Sequence, residues 1–419
     1  MAEHYDKNYV EDIFQKSSLF QALKPLLWNL KLCGLYHKRQ WRVKNGQGDL
    51  EEIRKVTPSR MWSIFLIIIH WLNTGKSLMA FQRGNEFGPD VLMKILTSMW
   101  HIYCTILCMI MYRCWAKPDH LPGFIYKWET LCKQDTEGTL RKFKHLIKIG
   151  LIFTWVTIIG NFVCITLFVL QTDILDATFI PFDMDDNSLF VGKLVTIVMS
   201  GTVVNATCMF SSLFHIAVTW LLNEEFKKFN KQFKDNISEC HGLKGSIESH
   251  RKRHMDICQL AGFADEAFRL YHLLITVVPI TACLITAYNA MYLDEIHNDS
   301  FLLISMIFMI FLNLYFIIEA LLMCAIVNNT AHDIYNDVHS LDLGELDQKE
   351  ILQVSVFLNK LAGHPEQIGL KVACFYVIDS PTILAVFGVL LSYFFMLFSF
   401  KPASPESMLP AALRNCTTV

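Results

Sequence analysis

The sequence predicts an all-α membrane protein with seven transmembrane helices, and three observations carry that expectation: composition, the recurrence of long apolar runs, and the distribution of basic residues. Of the 419 residues, 53% are apolar and 18% charged, below the roughly 25% charge of an average soluble domain. A bilayer core takes about 20 predominantly apolar residues of helix. Such runs occur at 61-81, 91-112, 149-171, 189-222, 270-293, 301-327 and 380-400. The first begins only after sixty mixed residues, unlike a cleavable signal peptide, so residues 1-60 are expected in the mature chain.

Lysine and arginine set the expected orientation, because cytoplasmic segments carry an excess of both. Residues 1-60 hold eleven, 113-148 eight, 223-269 nine and 328-379 three, whereas 82-90 holds one, 172-188 and 294-300 none, and 401-419 two. This 31 to 3 imbalance puts the N-terminus in the cytoplasm and the C-terminus outside. It also accounts for the basic residues, so with a net charge of -2 no nucleic-acid partner is expected. Of thirteen cysteines only Cys416 falls in an external segment, and no external disulfide framework forms within one chain. Cys104 and Cys108, one turn apart with no second pair nearby, read as apolar filler rather than a metal or redox pair. Asn298, in Asn298-Asp299-Ser300, and Asn415 are the external glycosylation candidates.

The chain divides into a cytoplasmic N-terminal segment (1-60), a six-helix transmembrane bundle (61-327), a cytoplasmic anchor segment (328-379), a seventh helix (380-400) and a short external tail (401-419). In the first segment Phe20, Leu23, Leu27, Leu30 and Cys33 recur at helical spacing up to Gly34, which predicts an amphipathic helix lying on the inner leaflet or the bundle. Three further stripes continue beyond the membrane: Phe226, Phe229, Phe233 and Ile237; Ile257, Leu260, Ala261, Ala264, Phe268 and Tyr271; and Ile351, Val354, Leu358 and Leu361. Faces of this kind bury against one another or against copies of themselves, which predicts a packed cytoplasmic helical domain. Lying flat on membrane lipid is the alternative.

The seventh helix has Ser380 placed to cap it, Pro381 at its first position and Asp379 at the positive end of its dipole. Ala385, Gly388, Ser392 and Ser399 form a small, mildly polar face on an otherwise bulky helix. Such a face means close helix contact or a water-lined path.

Ionisable groups inside membrane helices are costly and therefore candidates for function. Glu319 is the costliest and is expected to pair with a histidine or lysine, with gating as a second role; His70, His101 and His215 are the others. A small-molecule site needs an aromatic-walled cavity with a few polar groups. The ligand-binding candidates are His70, Trp71 and Asn73 in the first helix, Trp100 and His101 in the second, Asn161 in the third, Tyr288, Asn289 and Tyr292 in the fifth, and Asn313 in the sixth. The competing reading makes the aromatics an interfacial belt and the amides ties between helices.

Ser392-Tyr393, five apolar residues, then Ser399-Phe400 resembles the signature of insect gustatory receptors, Thr-Tyr, five hydrophobics, Gln-Phe, in the seventh helix. Phe357-Leu358 followed by Cys374-Phe375-Tyr376-Val377-Ile378-Asp379 is similar to the family's stretch before that helix. Leu23-Lys24-Pro25-Leu26 with Gly34-Leu35, and Arg251, His254 and Cys258 before Phe268, resemble its N-terminal and fourth-to-fifth-helix regions. The departures are serine at 392 and 399 and Ala373 before Cys374, where the family's glycine follows the cysteine. The missing glutamine removes the basis for borrowing ion selectivity. The resemblance implies a tetrameric, small-molecule-gated, non-selective cation channel of the plasma membrane, a homotetramer or a tetramer with a related co-receptor subunit. The seventh helix would line its pore with Ser392, Tyr393, Met396, Ser399 and Phe400, the last two forming the constriction.

Rival functions fare less well. A G-protein-coupled receptor would put the N-terminus outside and carry Asp-Arg-Tyr and Asn-Pro-x-x-Tyr motifs that are absent. A transporter would show an internal repeat. An enzyme would need a ligand cluster, nucleophile elbow or phosphate loop, whereas His332-Asp333 and His364-Pro365 are isolated; no cofactor or metal site is expected. A light-responsive channel of the same superfamily is the alternative stimulus.

Overall fold

The computed structural model describes residues 17–44, 49–53, 57–82, 89–131, 136–171, 186–237, 246–292, 299–344, 346–363 and 368–399. Seven helices in this set are long and apolar enough to cross a membrane. They begin with α2 (Pro58–Met79) and α3 (Pro89–Ala116), after a helix α1 (Ser18–Leu32) and a hairpin of β1 (Gln40–Lys44) and β2 (Asp49–Ile53). A short α4 (Leu121–Leu131) precedes α5 (Thr136–Gln171). Next come α6 (Asp186–Val198), a π-helical turn Met199–Val204 and α7 (Asn205–Asp235), read together as one span. The chain continues through α8 (Ile247–Tyr292), α9 (Ser300–His332), α10 (Tyr335–His339) and α11 (Gln348–Leu361). A second hairpin of β3 (Lys371–Val372) and β4 (Tyr376–Val377) leads into α12 (Ser380–Ser399).

Local chemistry fixes the ends of α1. The Ser17 hydroxyl accepts from Phe20 N at 3.0 Å, and Gly34, at φ 72°, lets the chain reverse so that Leu35 N donates to Leu30 O at 2.8 Å. Its face of Leu19, Ala22, Leu23, Leu26, Leu27 and Leu30 is buried in the main core, so the helix packs on the bundle. The Glu129 carboxylate on α4 accepts from Leu19 N at 2.9 Å, placing negative charge at the positive end of α1.

Two short hairpins accompany the helices of this all-α fold. In the first, β1 and β2 pair antiparallel from Gln40 opposite Ile53 to Lys44 opposite Asp49. Arg39 beside it meets Glu52 at 2.6 Å and donates from Nε to His37 Nε2 at 2.8 Å. Burial, with the Arg39 and Arg60 cations next to it, pushes the His37 pKa down to about 3, so the ring stays neutral and accepts.

The stripes beyond the bundle bury against one another inside a single chain. Phe226, Phe229 and Phe233 of α7 are buried together with Ile257, Leu260 and Ala264 of α8 and Val354, Phe357 and Leu361 of α11. The His254 ring sits 5.3 Å from Phe229 and 5.2 Å from Phe357. Of the two expected ways of covering those faces, packing against one another within the chain is the one seen. Exposed apolar residues nearby include Ile351 at the edge of its stripe, Leu352 and Val356 on the other side of α11, and Phe375 and Tyr376 on the second hairpin.

The start of α12 also differs from expectation. Asp379, not Ser380, is the cap: its Oδ1 accepts from Thr382 N at 2.9 Å and from Thr382 Oγ1 at 2.7 Å. Ser380 Oγ instead accepts from Asn329 Nδ2 at 3.1 Å. The hairpin before it is tied to α8 at three points: Lys371 N donates to Asp265 Oδ1 at 2.7 Å, His272 Nδ1 to Lys371 O at 2.9 Å, and Ala373 N to Arg269 O at 2.9 Å. The last bond holds Ala373 at φ 49°, in the left-handed region.

Candidate functional site

A cavity of about 130 Å³ lies among α3, α5, α6 with its π-turn, α8 and α9. That is close to the ~150 Å³ of an engineered apolar cavity able to hold benzene. Its wall is mainly apolar, with Met93, Leu96, Ile165, Met306, Met309 and Leu312 around Trp100, and its polar groups are few. Unbranched, polarizable methionine side chains adapt to guests of different shape.

The polar groups are arranged asymmetrically. Asn73 Nδ2 donates to His101 Nδ1 at 2.8 Å, which puts the His101 proton on Nε2, 3.3 Å from Ser200 Oγ. This tautomer follows from the hydrogen-bond network. Ser200 belongs to the π-turn, whose extra residue per turn moves it out of α-helical register; such turns occur often at functional sites. Asn313 donates from Nδ2 to Met309 O at 2.8 Å, leaving its Oδ1 without a partner among the described residues, as is Asn161 Oδ1. A buried acceptor left unsatisfied costs about 1–3 kcal/mol. Two such oxygens in one wall make the cavity receptive to a guest that brings an O–H or N–H.

Of the ten ligand-binding candidates, the structure brings Trp100, His101, Asn161 and Asn313 into this wall. Asn73 stands behind it, orienting His101. The other five lie elsewhere. His70 Nε2 is 3.4 Å from Thr207 Oγ1, Trp71 is 51% exposed on the outer surface, and Tyr288 and Tyr292 pack on each other with ring planes inclined by 48° and centroids 4.7 Å apart. Asn289 is fully buried with both amide atoms unpartnered among the described residues. The reading missed Ser200, Thr196, Thr286 and Ser305, which also line the cavity. No periodicity distinguishes such small residues from helix-contact positions, and only the π-turn reveals Ser200.

Glu319 lies in a second buried cluster. Its Oε1 accepts from His215 Nδ1 at 2.8 Å and its Oε2 from Ser212 Oγ at 2.8 Å, so the acid has the histidine partner its burial requires. His215 Nε2 then faces His272 Nε2 at 3.0 Å, with Cys324 Sγ 3.7 Å and 3.4 Å from the two nitrogens. His215, His272 and Cys324 come from α7, α8 and α9, so no sequence spacing announces the group. Cys104, read as filler, has its Sγ 3.1 Å from that of Cys208 on α7, and Cys108 does not share that contact.

The pore candidates lie on an unusual helix. Only 6% of the α12 span is buried. Tyr393 and Met396 are about half exposed, and an added Cβ on Gly388 would meet nothing within 4 Å. The Ser392 and Ser399 hydroxyls donate back to Gly388 O at 2.8 Å and Phe395 O at 3.1 Å. Phe400, Asn298 and Asn415 lie outside the described residues.

A model of the 7tm chemosensory receptor family matches residues 23–404. The fold is similar to the insect olfactory receptor OR5 from Machilis hrabei, with TM-score 0.67 and 13% identity over 92% of this chain and 99% of that one. The same receptor in complex with eugenol gives TM-score 0.64 and 14% identity over 93% of this chain and 100% of that one. At such identity the likeness carries the fold alone. No curated protein matches the sequence. With the match running over nearly all of its length, the chain belongs to the 7tm chemosensory receptor family, whose members are receptors rather than enzymes.

Proposed function

We propose that the chain is a subunit of a tetrameric, ligand-gated, non-selective cation channel of gustatory-receptor type in the plasma membrane, with its N-terminus inside. The observation that carries this reading is α12, an apolar helix that leaves its small polar face of Ala385, Gly388, Ser392 and Ser399 without cover in a single chain. Leu384 is 75% exposed. Four such helices around an axis give the small face a water path and the bulky faces neighbours. Exposed Ile351, Leu352, Val356, Phe375 and Tyr376 supply further apolar surface for copies of the chain or a related subunit. Lipid covers what remains.

The cavity is the ligand site, and its two unpaired Asn oxygens favour a small, mostly apolar molecule with a hydroxyl or amine donor. The comparison receptor solved with eugenol supports a compact organic ligand for this chain. Ligand moves the equilibrium only by its differential affinity, and a near-complete switch takes about 5.5 kcal/mol. Phe400 closes the path by dewetting.

The test is current recorded from cells expressing the chain, during application of a panel of small molecules. Phe400→Ala is expected to add basal current and Ser399→Lys to impede cations at normal surface expression. Silence of the parent to every ligand together with monomers in mass photometry sinks the reading. If Phe400→Ala channels reach the surface, respond as the parent does and show no added basal current, the gate is not at Phe400.

Orientation has its own test. Asn298, and Asn415 in the tail, are expected to accept glycan, whereas Asn236 and Asn328 are not. Asn328 is buried, donating from Nδ2 to Ile368 O at 2.7 Å. Glycosidase mobility shifts on sequon-removing variants check this, and sugar on Asn236 inverts the topology.

A further inference from the structure

The geometry points to a buried metal site, formed by His215, His272 and Cys324, that takes a divalent, thiolate-tolerant cation of the zinc type. His215 Nδ1 faces a carboxylate oxygen of Glu319 at 2.8 Å and His272 Nδ1 faces the Lys371 carbonyl at 2.9 Å. Both are acceptors, so a proton sits on each Nδ1, and in the neutral form of each ring Nε2 turns a lone pair inward. These two Nε2 atoms nevertheless point at each other across 3.0 Å. Two facing lone pairs repel unless something positive lies between them.

Zinc bonds of about 2.0–2.1 Å to nitrogen and about 2.3 Å to sulfur, set at tetrahedral angles, place ligand atoms about 3.3 Å apart for two nitrogens and about 3.6 Å for nitrogen and sulfur. The three separations here are 3.0, 3.4 and 3.7 Å, so a small relaxation of the two rings admits the ion. All three side chains are buried. A water molecule would complete the tetrahedron as fourth ligand.

A divalent ion with the Cys324 thiolate and the Glu319 carboxylate sums to zero, whereas a monovalent soft ion such as Cu⁺ leaves a net negative charge in a low-dielectric interior. The supporting layer is also in place. A ligating histidine donates its other N–H to a carboxylate or a backbone carbonyl, and Glu319 and Lys371 provide one of each.

The occupied site would join α7, α8 and α9, and through His272 the hairpin that leads into α12. Nothing in the ligand cavity takes part, so this inference stands apart from the channel reading.

The full-length protein purified in detergent, loaded with Zn²⁺ and freed of excess, is expected to hold about one zinc per chain by elemental mass spectrometry. Co²⁺ loading should give a thiolate-to-cobalt charge-transfer band and the strong d–d bands of a four-coordinate ion. Cys324→Ser is expected to abolish the charge-transfer band. Glu319→Gln should keep the band but weaken affinity about 10–100-fold, as loss of an outer partner does. Where a variant fails to fold, the parent's metal content and Co²⁺ spectrum decide. A parent that holds no metal at saturating Zn²⁺ overturns the site and leaves a proton shared between the two imidazoles. A charge-transfer band that survives Cys324→Ser removes the cysteine and overturns it equally.

Discussion

His215→Leu is expected to destabilise the folded chain by about 1.5–3 kcal/mol, the worth of a hydrogen bond to a charged group, because the buried Glu319 carboxylate loses a donor. Its Nδ1–H is one of two donors on Glu319; the other is the neutral Ser212 hydroxyl. Both His215 and Glu319 are buried, so water cannot replace the lost donor. The double replacement His215→Leu with Glu319→Leu is expected to recover much of the loss, because removing both partners leaves no charge to desolvate. Thermal unfolding in detergent with a chelator present, followed by size-exclusion fluorescence, separates the two. Equal midpoints for the single and double variants would show that the damage is lost packing rather than an orphaned carboxylate.

Ala282→Phe is expected to abolish the response to ligand or to raise the half-effective concentration at least about tenfold, a loss of about 1.4 kcal/mol. Ala282 lines the cavity from α8, and a benzyl group there occupies space otherwise open to the guest. Overfilling a packed interior costs about 1–3 kcal/mol, so surface biotinylation must accompany the current recording. Val277→Phe, on the exposed side of the same helix and away from the cavity, is the control. An unaltered dose response in Ala282→Phe channels at the surface would move the ligand site out of this cavity.

The spans were legible because twenty-residue apolar runs leave a lipid core few alternatives, and all seven appear. The apolar stripes of α7, α8 and α11 beyond the spans were visible in residues such as Phe226, Phe229 and Phe233, and so was their need for cover. What periodicity could not tell was whether they meet within one chain or between copies. The hairpins escaped because two- and five-residue strands leave no period to read, and Ala373 gives no glycine signal for its left-handed turn. In the cavity, Trp100, His101, Asn161 and Asn313 stood out as costly groups at mid-membrane depth. Tyr288 and Tyr292 stood out as aromatics near the outer end of their helix and belong elsewhere, because depth is readable from sequence but the face of a helix within a crowded bundle is not. The His215, His272 and Cys324 group spans three helices, and its convergence is a property of their packing alone.

The three bonds that fasten the second hairpin to α8 leave from Asp265, Arg269 and His272, positions four and three apart that share one side of the helix. Three rivets in a row make a rigid bracket, not a hinge. A roll or slide of α8 is therefore handed directly to the foot of α12, with Asp379 as the collar on which that helix turns. Since α8 also supplies Ala282 and Thr286 to the cavity, guest and foot are attached to the same rod, and the stroke of one end is set by the travel of the other.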